Sequence, residues 1–529
     1  MADVSQWEQV FQQAVELHSQ GKFDEGGELF AAILEQHPGH FPSLHRLAAI
    51  RRHQGKLEES LALLKQAIGC NPNSADVHNS MGNTLNALGR PQEAMDQYRC
   101  ALALRPDFPE AHLNLGNSLR ELGRFEEAGA AYMTAIALRP QYAEAHNRLG
   151  LVHSRMNRPL EAIACYSAAL SLDPKMTIAY SNLGSALTDL NRHEEALPMF
   201  RRAREIEPEA AEPAWNEALA RLALGDYERA WPDYETRWRA AELQILTRDF
   251  SQPVWDGQTD IAGKTILIHA EQGLGDTVMC ARYVPMVIER GARVIVEVQK
   301  PLKRLMSAIP GVAQTVAYGE TLPDFDTRVS FGSLPRAFET TIDTIPKQIP
   351  YLTAPAESPA LEALSASDDA RPRVGICWAG NPAFPTDHNR SIPLPVFSEL
   401  LRTPGIRFVS LQQNLKPGDD QILAEFGNID LDSDRKGSGL HDTAALMSKL
   451  DLVITVDTVI GHLAGALGRP FWVLLAFYAY WPWMRYRTDS LWYPTARLFR
   501  QAEIANWTGV IERVSSALKD TGRRECASR

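Results

Sequence analysis

The chain has 529 residues, of which 22% are charged and 45% are hydrophobic, and its formal net charge is -11 at pH 7. This length exceeds one ordinary domain and allows two or three separate cores. The acidic balance argues against a broad nucleic-acid surface, which would need clustered Lys and Arg. We therefore expect protein or small-molecule partners and no nucleic acid.

Cysteine usage and apolar patterning place the chain in a reducing, aqueous compartment. The six cysteines are scattered, with neither a CxxC pair nor the spacing of metal ligands, so we expect no disulfide framework and no metal site. The N-terminus lacks the apolar core of a secretory signal. The longest apolar stretch, 13 residues from Phe471, is too short to span a bilayer. These features predict a cytoplasmic protein without a membrane partner.

A period of 34 residues organises the first half of the chain. Small turn residues keep this spacing at Gly21, Gly55, Gly89, Gly123, Asn157, Asn191 and Gly225. Prolines keep it at Pro38, Pro72, Pro106, Pro140, Pro174 and Pro208, and a third row is Gly82, Gly116, Gly150 and Gly184. Apolar residues three and four apart between these markers predict two amphipathic helices per period. We expect the third-row glycines where two helices approach too closely for a side chain.

This pattern resembles the tetratricopeptide repeat, and seven units fit between about residues 6 and 243. The resemblance implies a superhelix whose inner face holds an extended peptide. Two positions before the third-row glycines lie Ser80, Asn114, Arg148 and Asn182. The amides of Asn114 and Asn182 are candidate acceptor-binding groups, and a solvated groove wall is an equally open interpretation. The aromatic segment DYERAWPDYETRWRAAELQ is expected to cap the array before a linker at 244–262.

From Lys264 onward, short β-branched runs alternate with helical patterns, which predicts parallel strands joined by helices. The predicted strands are 265–270, 293–298, 373–379, 406–411, 452–457 and 471–475. They divide into two α/β lobes, 263–355 and 373–515, joined by an Ala-, Ser- and Pro-rich linker at 356–372. Ligands of such sheets bind beyond the carboxyl ends of the strands.

The stretch TVDTVIGHLAGALGRP, residues 455–470, follows one of these strands. Asp457 and Thr458 end the strand, and Gly461 and His462 lie in the first turn of a predicted helix. Backbone N-H groups, a hydroxyl and an imidazole at a helix N-terminus suit a diphosphate. Simple helix capping by Asp457 and Thr458 is the alternative.

The loop GNPAFPTDHNRSIPL, residues 380–394, follows another strand of the same lobe. Its Asn381 is a candidate donor-binding residue, and Arg390 is a candidate partner for a second phosphate charge. A solvated surface arginine is an equally open interpretation.

In the first lobe, HAEQGLGDTVMC, residues 269–280, contains a glycine turn that enters a helix. Val278 stands where a dinucleotide fingerprint needs its third glycine, and no GK[ST] follows, so both common nucleotide cradles are excluded. The glycines of the turn, including Gly275, instead allow acceptor and donor to approach the backbone.

GLGDT, the GNP...RSIPL loop and VDTVIGHLAGALGRP, in this order, resemble the heptosyltransferase-type glycosyltransferases of bacteria, which have the two-lobed GT-B fold. Over about residues 6–515 the chain resembles bacterial proteins that join tetratricopeptide repeats to such a domain, including flagellin glycosyltransferases. The implied fold class is α plus α/β: an N-terminal repeat superhelix followed by two Rossmann-like lobes, with the acceptor on the first lobe and the nucleotide-sugar on the second.

The resemblance also implies roles for single residues. Asp276 matches the catalytic acid, Arg390 the basic phosphate-binding residue, and Asp457, Thr458 and His462 the donor motif. Members of this type invert the anomeric centre and use no essential metal, so no cofactor is expected beyond the nucleotide-sugar substrate. An inverting transfer needs a base for the acceptor hydroxyl and a cationic or dipolar group for the leaving diphosphate.

The sequence departs from related repeat-fused proteins at Tyr480, Pro482 and Leu491, which replace Asp, Arg and Pro. These departures remove one acid and one base near the cleft, where donor identity and activity depend on charge. We expect Arg485, Arg487 and Arg497 to supply the missing charge.

Together these features predict a cytoplasmic protein O-glycosyltransferase acting on Ser or Thr of an acceptor captured by the repeats, with flagellin as the candidate acceptor. The alternatives are a non-catalytic repeat scaffold with a degenerate transferase domain and a lipopolysaccharide-core transferase. The sequence leaves open whether the chain forms a homodimer through its repeats.

Overall fold

The computed structural model describes residues 2–240, 250–359, 361, 364, 371–384, 387–430 and 439–527. The chain divides into two compact units, Met1–Ala186 and Leu187–Arg529. Much of the predicted inter-lobe linker, 356–372, lies outside the described residues, and so does the start of the predicted linker at 244–262.

Residues 2–240 form seven consecutive helix pairs, as the 34-residue period predicts. Their bounds are Ala2–Ser19 with Phe23–Gln36, Phe41–His53 with Leu57–Cys70, Ala75–Ala87 with Pro91–Leu104, Pro109–Glu121 with Phe125–Leu138, Ala143–Arg155 with Pro159–Leu172, Thr177–Asp189 with His193–Ile206, and Ala211–Leu224 with Tyr227–Tyr234. A short 3-10 helix, Glu235–Trp238, follows the last pair.

The marker residues of the period have two different physical roles. All seven predicted turn residues have φ between +57° and +84°, a region that glycine adopts freely and asparagine tolerates. Three of the four third-row glycines, Gly82, Gly116 and Gly150, instead make room for a tyrosine ring of the partner helix. A Cβ atom on Gly82, Gly116 or Gly150 would lie 2.4 or 2.5 Å from the ring of Tyr98, Tyr132 or Tyr166, respectively.

The first α/β lobe contains a parallel sheet with strand order β3-β2-β1-β4 among the described residues. The strands are β1 (Thr265–His269), β2 (Arg293–Val298), β3 (Val312–Ala317) and β4 (Thr327–Ser330). Its α-helices are Leu274–Cys280, Val284–Glu289, Lys303–Met306 and Leu334–Ala337. The sequence pattern predicted β1 and β2 but missed β3 and β4, because β3 is partly exposed at the sheet edge and β4 has only four residues.

The second lobe contains a parallel sheet with order β10-β9-β8-β5-β6-β7 among the described residues. The strands are β5 (Arg373–Cys377), β6 (Arg407–Ser410), β7 (Ile429–Asp430), β8 (Leu452–Val456), β9 (Phe471–Leu475) and β10 (Ala496–Arg500). Its α-helices are Asp387–Arg390, Leu394–Phe397, Asp419–Leu423, Leu440–Met447, Val459–Ala466 and Thr508–Ala527. β5, β6, β8 and β9 were predicted from the sequence, whereas β7 and β10 were not.

In both sheets the order of the strands along the sheet reverses next to the first strand of that lobe. β1 lies between β2 and β4, and β5 lies between β6 and β8. This order is that of the Rossmann fold, in which ligands bind outside the carboxyl ends of the strands at the point of reversal. The loops after β1, β5 and β8 carry GLGDT, the Arg390 loop and Asp457, so the topology supports the choice of these three loops.

The seventh helix pair is part of the apolar core of the second unit. Trp215, Tyr227 and Trp231 are buried in the same cluster as the residues of β1 and as Trp481 and Trp492. The indole N-H of Trp492 donates to the Tyr227 hydroxyl at 2.9 Å. The predicted cap is therefore a segment that shares its core with the α/β lobes.

None of the helices in the described parts of the chain combines the length and the apolarity that a bilayer span requires.

Candidate functional site

Asp276 lies in the first turn of helix Leu274–Cys280, which begins five residues after β1 ends. Its carboxylate is half-buried and accepts two hydrogen bonds. The backbone N-H of Gly273 donates to Oδ2 at 3.1 Å, and the hydroxyl of Tyr480 donates to Oδ1 at 2.9 Å. The glycine turn thus holds one edge of the carboxylate, and a residue from the second lobe holds the other.

The pKa of Asp276 is raised to about 6, chiefly because burial disfavours the charged form. The nearby carboxylate of Asp457 raises it further, whereas the hydrogen bonds from Tyr480 and Gly273 lower it. The group is therefore ionised above about pH 6 and becomes protonated below it. A base with a pKa near the working pH is well matched to proton abstraction from a hydroxyl.

Asp457 and Thr458 separate β8 from helix Val459–Ala466. Thr458 caps this helix, since its Oγ1 accepts from the backbone N-H of Ile460 at 3.3 Å. Asp457 instead accepts a hydrogen bond from the indole N-H of Trp483 at 2.8 Å. Burial raises the pKa of Asp457, with Trp483 and Arg390 acting in the opposite direction.

His462 is the fourth residue of the same helix and is buried, with 4% of its surface exposed. Its Nδ1 lies 2.9 Å from the Tyr493 hydroxyl, and its ring lies 5.3 Å from that of Trp483. Burial, with Arg282 and Arg390 nearby, lowers its pKa to about 3. At neutral pH the imidazole is uncharged, so it can form a hydrogen bond to a ligand but cannot supply positive charge.

The two predicted site glycines are packing positions in this structure. A Cβ on Gly275 would lie 2.8 Å from Cδ2 of His462, so the GLGDT turn touches helix Val459–Ala466 here. A Cβ on Gly461 would lie 3.3 Å from Cγ2 of Thr455, where the helix rests on β8. The close approach at Gly275 is therefore to His462.

Arg390 ends the short helix in the loop after β5. Its Nε donates to Asp387 at 3.0 Å, and its guanidinium lies 5.0 Å from the centre of the Phe384 ring. Its side chain remains 29% exposed, and its charge acts on His462 and Asp457. Asn381 is exposed and closes a local turn by accepting from the backbone N-H of Ala383 at 3.1 Å.

The structure thus brings together Asp276, Gly275, Asp457, Thr458 and His462, with Arg390 close enough to act electrostatically. Within the described part of the chain, the contacts of Asn381 are those of its local turn, from the backbone N-H groups of Ala383 and Phe384. Among the described residues, no group of three or more His, Cys, Asp or Glu side chains is arranged to hold a metal ion.

Sequence reasoning missed two arginines next to this cluster, Arg282 and Arg500. Arg282 is buried, and its Nη1 donates to the backbone oxygen of Trp492 at 2.7 Å. Arg500 donates to the backbone oxygen of Trp483 at 3.2 Å. Its positive charge acts to lower the pKa of Asp457. No spacing in the sequence identifies either arginine: Arg282 reaches a segment 210 residues away, and the side chain of Arg500 bonds only to backbone oxygens of the preceding loop among the contacts described.

The arginines expected to supply charge near the departures have other partners. Arg485 donates to Glu194 Oε2 at 2.8 Å in the sixth helix pair. Arg487 pairs with Asp489 at 2.6 Å, and Arg497 lies over the ring of Phe499 on β10 at 4.7 Å. The arginines whose charge lowers the pKa of Asp457 include Arg390 and Arg500, and a role of Arg485, Arg487 and Arg497 in supplying charge stays a prediction.

The two candidate asparagines of the repeats form the same contact in different places. The amide Nδ2 of Asn114 donates to Oδ1 of Asn79, and that of Asn182 donates to Oδ1 of Asn147, both at 3.0 Å. Both side chains are half-buried. Part of their hydrogen-bonding capacity is therefore used between neighbouring repeats.

Sequence comparison matches both halves of the chain to known families. Tetratricopeptide-repeat families match residues 17–83, 82–119, 116–157, 147–211 and 183–242. Glycosyltransferase family 9 (heptosyltransferase) matches residues 438–491. The chain therefore combines tetratricopeptide repeats with a glycosyltransferase region, and the latter match includes Asp457, His462 and Tyr480.

Among curated proteins, the chain is similar to Protein FlbA of Caulobacter vibrioides, with 28% identity over 331 residues. This alignment covers 57% of the chain and 54% of FlbA, so the chain spans about half the length of that relative.

Among solved structures, the chain is similar to MamA, with 27% identity, a TM-score of 0.29, and coverage of 31% of this chain and 95% of MamA. It is also similar to a tetratricopeptide repeat protein from Parabacteroides merdae, with 17% identity, a TM-score of 0.38, and coverage of 44% and 93%.

Proposed function

We propose that this chain transfers a sugar from a nucleotide-sugar donor to Ser or Thr of a protein acceptor held by the repeats. The reaction inverts the anomeric centre, needs no metal ion and takes place in the cytoplasm. The observation that carries the proposal is the contact between the Asp276 turn and the Asp457 to His462 segment, which lies inside the glycosyltransferase family 9 match.

Asp276 is the general base of the proposed reaction. An acceptor hydroxyl becomes a better nucleophile as its proton passes to a carboxylate, and a group with a pKa of about 6 is ionised at neutral pH. The two Rossmann-type sheets belong, in this proposal, to a GT-B arrangement in which the first lobe faces the acceptor and the second lobe faces the donor.

The donor diphosphate is held at the N-terminus of helix Val459–Ala466. The free N-H groups and the helix dipole of such a terminus favour an anion. Arg390 supplies positive charge, Thr458 caps the helix and neutral His462 supplies a hydrogen bond. Stabilisation of the leaving diphosphate by fixed dipoles and one cation replaces the role that a metal ion plays in other transferases.

The acceptor is a protein segment bound along the repeats, with Asn114 and Asn182 among its contacts and flagellin as the candidate protein. Tetratricopeptide repeats bind extended peptides on their inner face. A lipopolysaccharide-core acceptor would leave the repeats without a role.

The test compares the wild-type chain with Asp276→Asn. Each is incubated with purified candidate acceptor and a panel of nucleotide-activated sugars, and the acceptor is weighed by intact mass spectrometry. We expect a hexose- or nonulosonate-sized gain with the wild type and a rate at least about 100-fold lower with Asp276→Asn. The matched control is Asp343→Asn, since Asp343 is an exposed acid of the same lobe. Absence of transfer with every donor, from a folded protein, would contradict the proposal.

A second candidate function is a non-catalytic repeat scaffold. It is favoured by the Tyr480 hydroxyl, which already occupies Oδ1 of Asp276, and by the departures at Pro482 and Leu491. Calorimetric titration with UDP, GDP, ADP and CMP separates the two functions. A transferase binds at least one of these nucleotides, and Arg390→Ala weakens that binding, whereas a degenerate domain binds none.

A further inference from the structure

The loop after β9 reaches both carboxylates of the candidate site. Tyr480 donates to Oδ1 of Asp276 at 2.9 Å, across 204 residues of sequence. Three residues later, Trp483 donates to Oδ1 of Asp457 at 2.8 Å. One short turn of the second lobe therefore touches the acid of each lobe.

This turn is anchored by aromatic packing. The ring of Tyr480 lies 5.7 Å from that of Trp481. Trp481 is buried and lies edge-on to Tyr227, Trp231 and Trp492, with ring centres 5.4 to 6.0 Å apart. Such edge-to-face contacts fix ring orientation, so the backbone that carries Tyr480 is held in place by the core.

We propose that Tyr480 is a positioning residue for Asp276: its hydroxyl fixes the orientation of the carboxylate and favours the ionised form that accepts the proton of the acceptor. This inference rests on the proposed function, because it assigns Tyr480 a role in the same reaction.

The hydrogen bonds to Asp276 leave its carboxylate able to accept a proton from a further hydroxyl. Each carboxylate oxygen has two lone-pair positions. Gly273 uses one on Oδ2 and Tyr480 uses one on Oδ1. Each oxygen keeps a further position for an incoming hydroxyl, while the two donors prevent the side chain from rotating.

The groups around Asp276 disfavour its ionised form, and the hydrogen bond from the Tyr480 hydroxyl acts in the opposite direction. The ionisable groups that face Asp276 are Tyr234, Cys280, Asp457 and Tyr480, with His462 beside Gly275. Burial raises the pKa of the tyrosines and the cysteine and lowers that of His462, so all four are neutral at pH 7. Asp457 is an acid and opposes ionisation of Asp276. Hydrogen bonds must therefore offset both burial and this repulsion.

The variant that isolates the hydroxyl is Tyr480→Phe, and the matched control is Tyr486→Phe, because Tyr486 lies on the same segment and is 78% exposed. The first readout is NMR of the full chain with aspartate labelled at 13Cγ, in which the Asp276 resonance is identified by its loss in Asp276→Asn. We expect the apparent pKa of Asp276 to rise by about one unit in Tyr480→Phe and to stay constant in Tyr486→Phe. An unchanged value in Tyr480→Phe would overturn the proposal.

The second readout is the pH dependence of kcat/KM. A base must be deprotonated, so activity falls as the pH decreases through the pKa of Asp276. In Tyr480→Phe this acidic limb should move to higher pH by the same amount as the NMR titration. A uniform loss of kcat without displacement of the limb would assign Tyr480 a purely structural role and overturn the proposal.

The two readouts separate the two proposals. If no donor supports transfer, the proposed function fails. The NMR titration still tests whether the Tyr480 hydroxyl lowers the pKa of Asp276. If Tyr480→Phe does not fold, 3,5-difluorotyrosine incorporated at position 480 keeps the ring and makes the hydroxyl a stronger donor. We expect it to lower the apparent pKa of Asp276, and an unchanged or higher value would contradict the proposal.

Discussion

The same repeat position serves two different purposes in the two units of the chain. In the third and fourth helix pairs, Tyr98 and Tyr132 pack over a glycine and donate to an asparagine of their own repeat, Asn83 and Asn117, at 2.7 and 2.8 Å. In the seventh pair the equivalent residue is Tyr234, which donates to Gln272, in the loop that leads to the GLGDT turn, at 3.1 Å.

Arg237, three residues beyond Tyr234, extends this difference. It is fully buried and donates to Glu271, Ser330 and Ser333 at distances of 2.7 to 3.1 Å. Repeats in the first unit are stabilised by their neighbours, as expected for a repeat array. The last repeat is stabilised by the α/β lobes, and it in turn holds the residues that precede the GLGDT turn.

The largest expected effect is the response to truncation. A chain that begins at residue 173 keeps the whole second unit and should unfold cooperatively with the near-UV circular dichroism of its buried tryptophans. A chain that begins at residue 250 loses Trp215, Tyr227, Trp231 and Tyr234 from the core. Loss of each large aromatic costs about 3–5 kcal/mol, so the four together cost about 12–20 kcal/mol, which is as large as the usual stability of about 5–15 kcal/mol. If the shorter chain kept the same unfolding midpoint, the last repeat would be an independent module.

The next effect is that of Arg237→Met. The substitution leaves the buried carboxylate of Glu271 without its cation, which should lower the free energy of unfolding of the second unit by about 3–5 kcal/mol. Urea unfolding followed by tryptophan fluorescence measures it. Glu271→Gln in the same chain should recover part of the loss, and Arg229→Met, at a side chain 77% exposed, should change little. Equal effects of the two arginine substitutions would contradict the assigned role.

The smallest effect is confined to the first unit. In Gly116→Ala the new methyl group would lie 2.5 Å from Cε1 of Tyr132, and such overpacking should cost about 1–3 kcal/mol. Gly129→Ala, in the other helix of the same repeat, meets its nearest atom at 3.6 Å and should gain about 0.5–1 kcal/mol from helix propensity. Amide hydrogen exchange of the repeats measures both, and the exchange of β1 and β8 should be unchanged.

The period of 34 predicted the repeat helices well, because the glycine and asparagine markers have a local physical cause, a positive φ at the turns or a missing Cβ where a ring packs. The central strands β1, β5 and β8 were predicted because they are continuous apolar runs. Edge strands such as β3 and β10 were missed, because exposure and charged residues break the pattern on which such predictions depend.

For the site, the sequence singled out the GLGDT turn and the segment of His462 separately, and the structure places Gly275 of that turn against His462. The catalytic role of Asp276 and the donor-binding role of His462 stay predictions. The neutrality of His462 depends on its burial, and the Tyr480 contact depends on how a loop of one lobe packs against a turn of the other. Neither can be derived from local sequence, although Tyr480 stands out as a departure from related proteins.

The redirected hydrogen bond of Tyr234 also bears on how such a chain evolves. Recombination can add or remove 34-residue units within the first unit, since each repeat there depends on others of its kind. A recombination joint near residue 240 would separate the α/β lobes from part of their own interior. The unit that must be inherited together with the α/β lobes therefore begins inside the repeats, and the upstream repeats can change in number while the seventh repeat stays with the lobes.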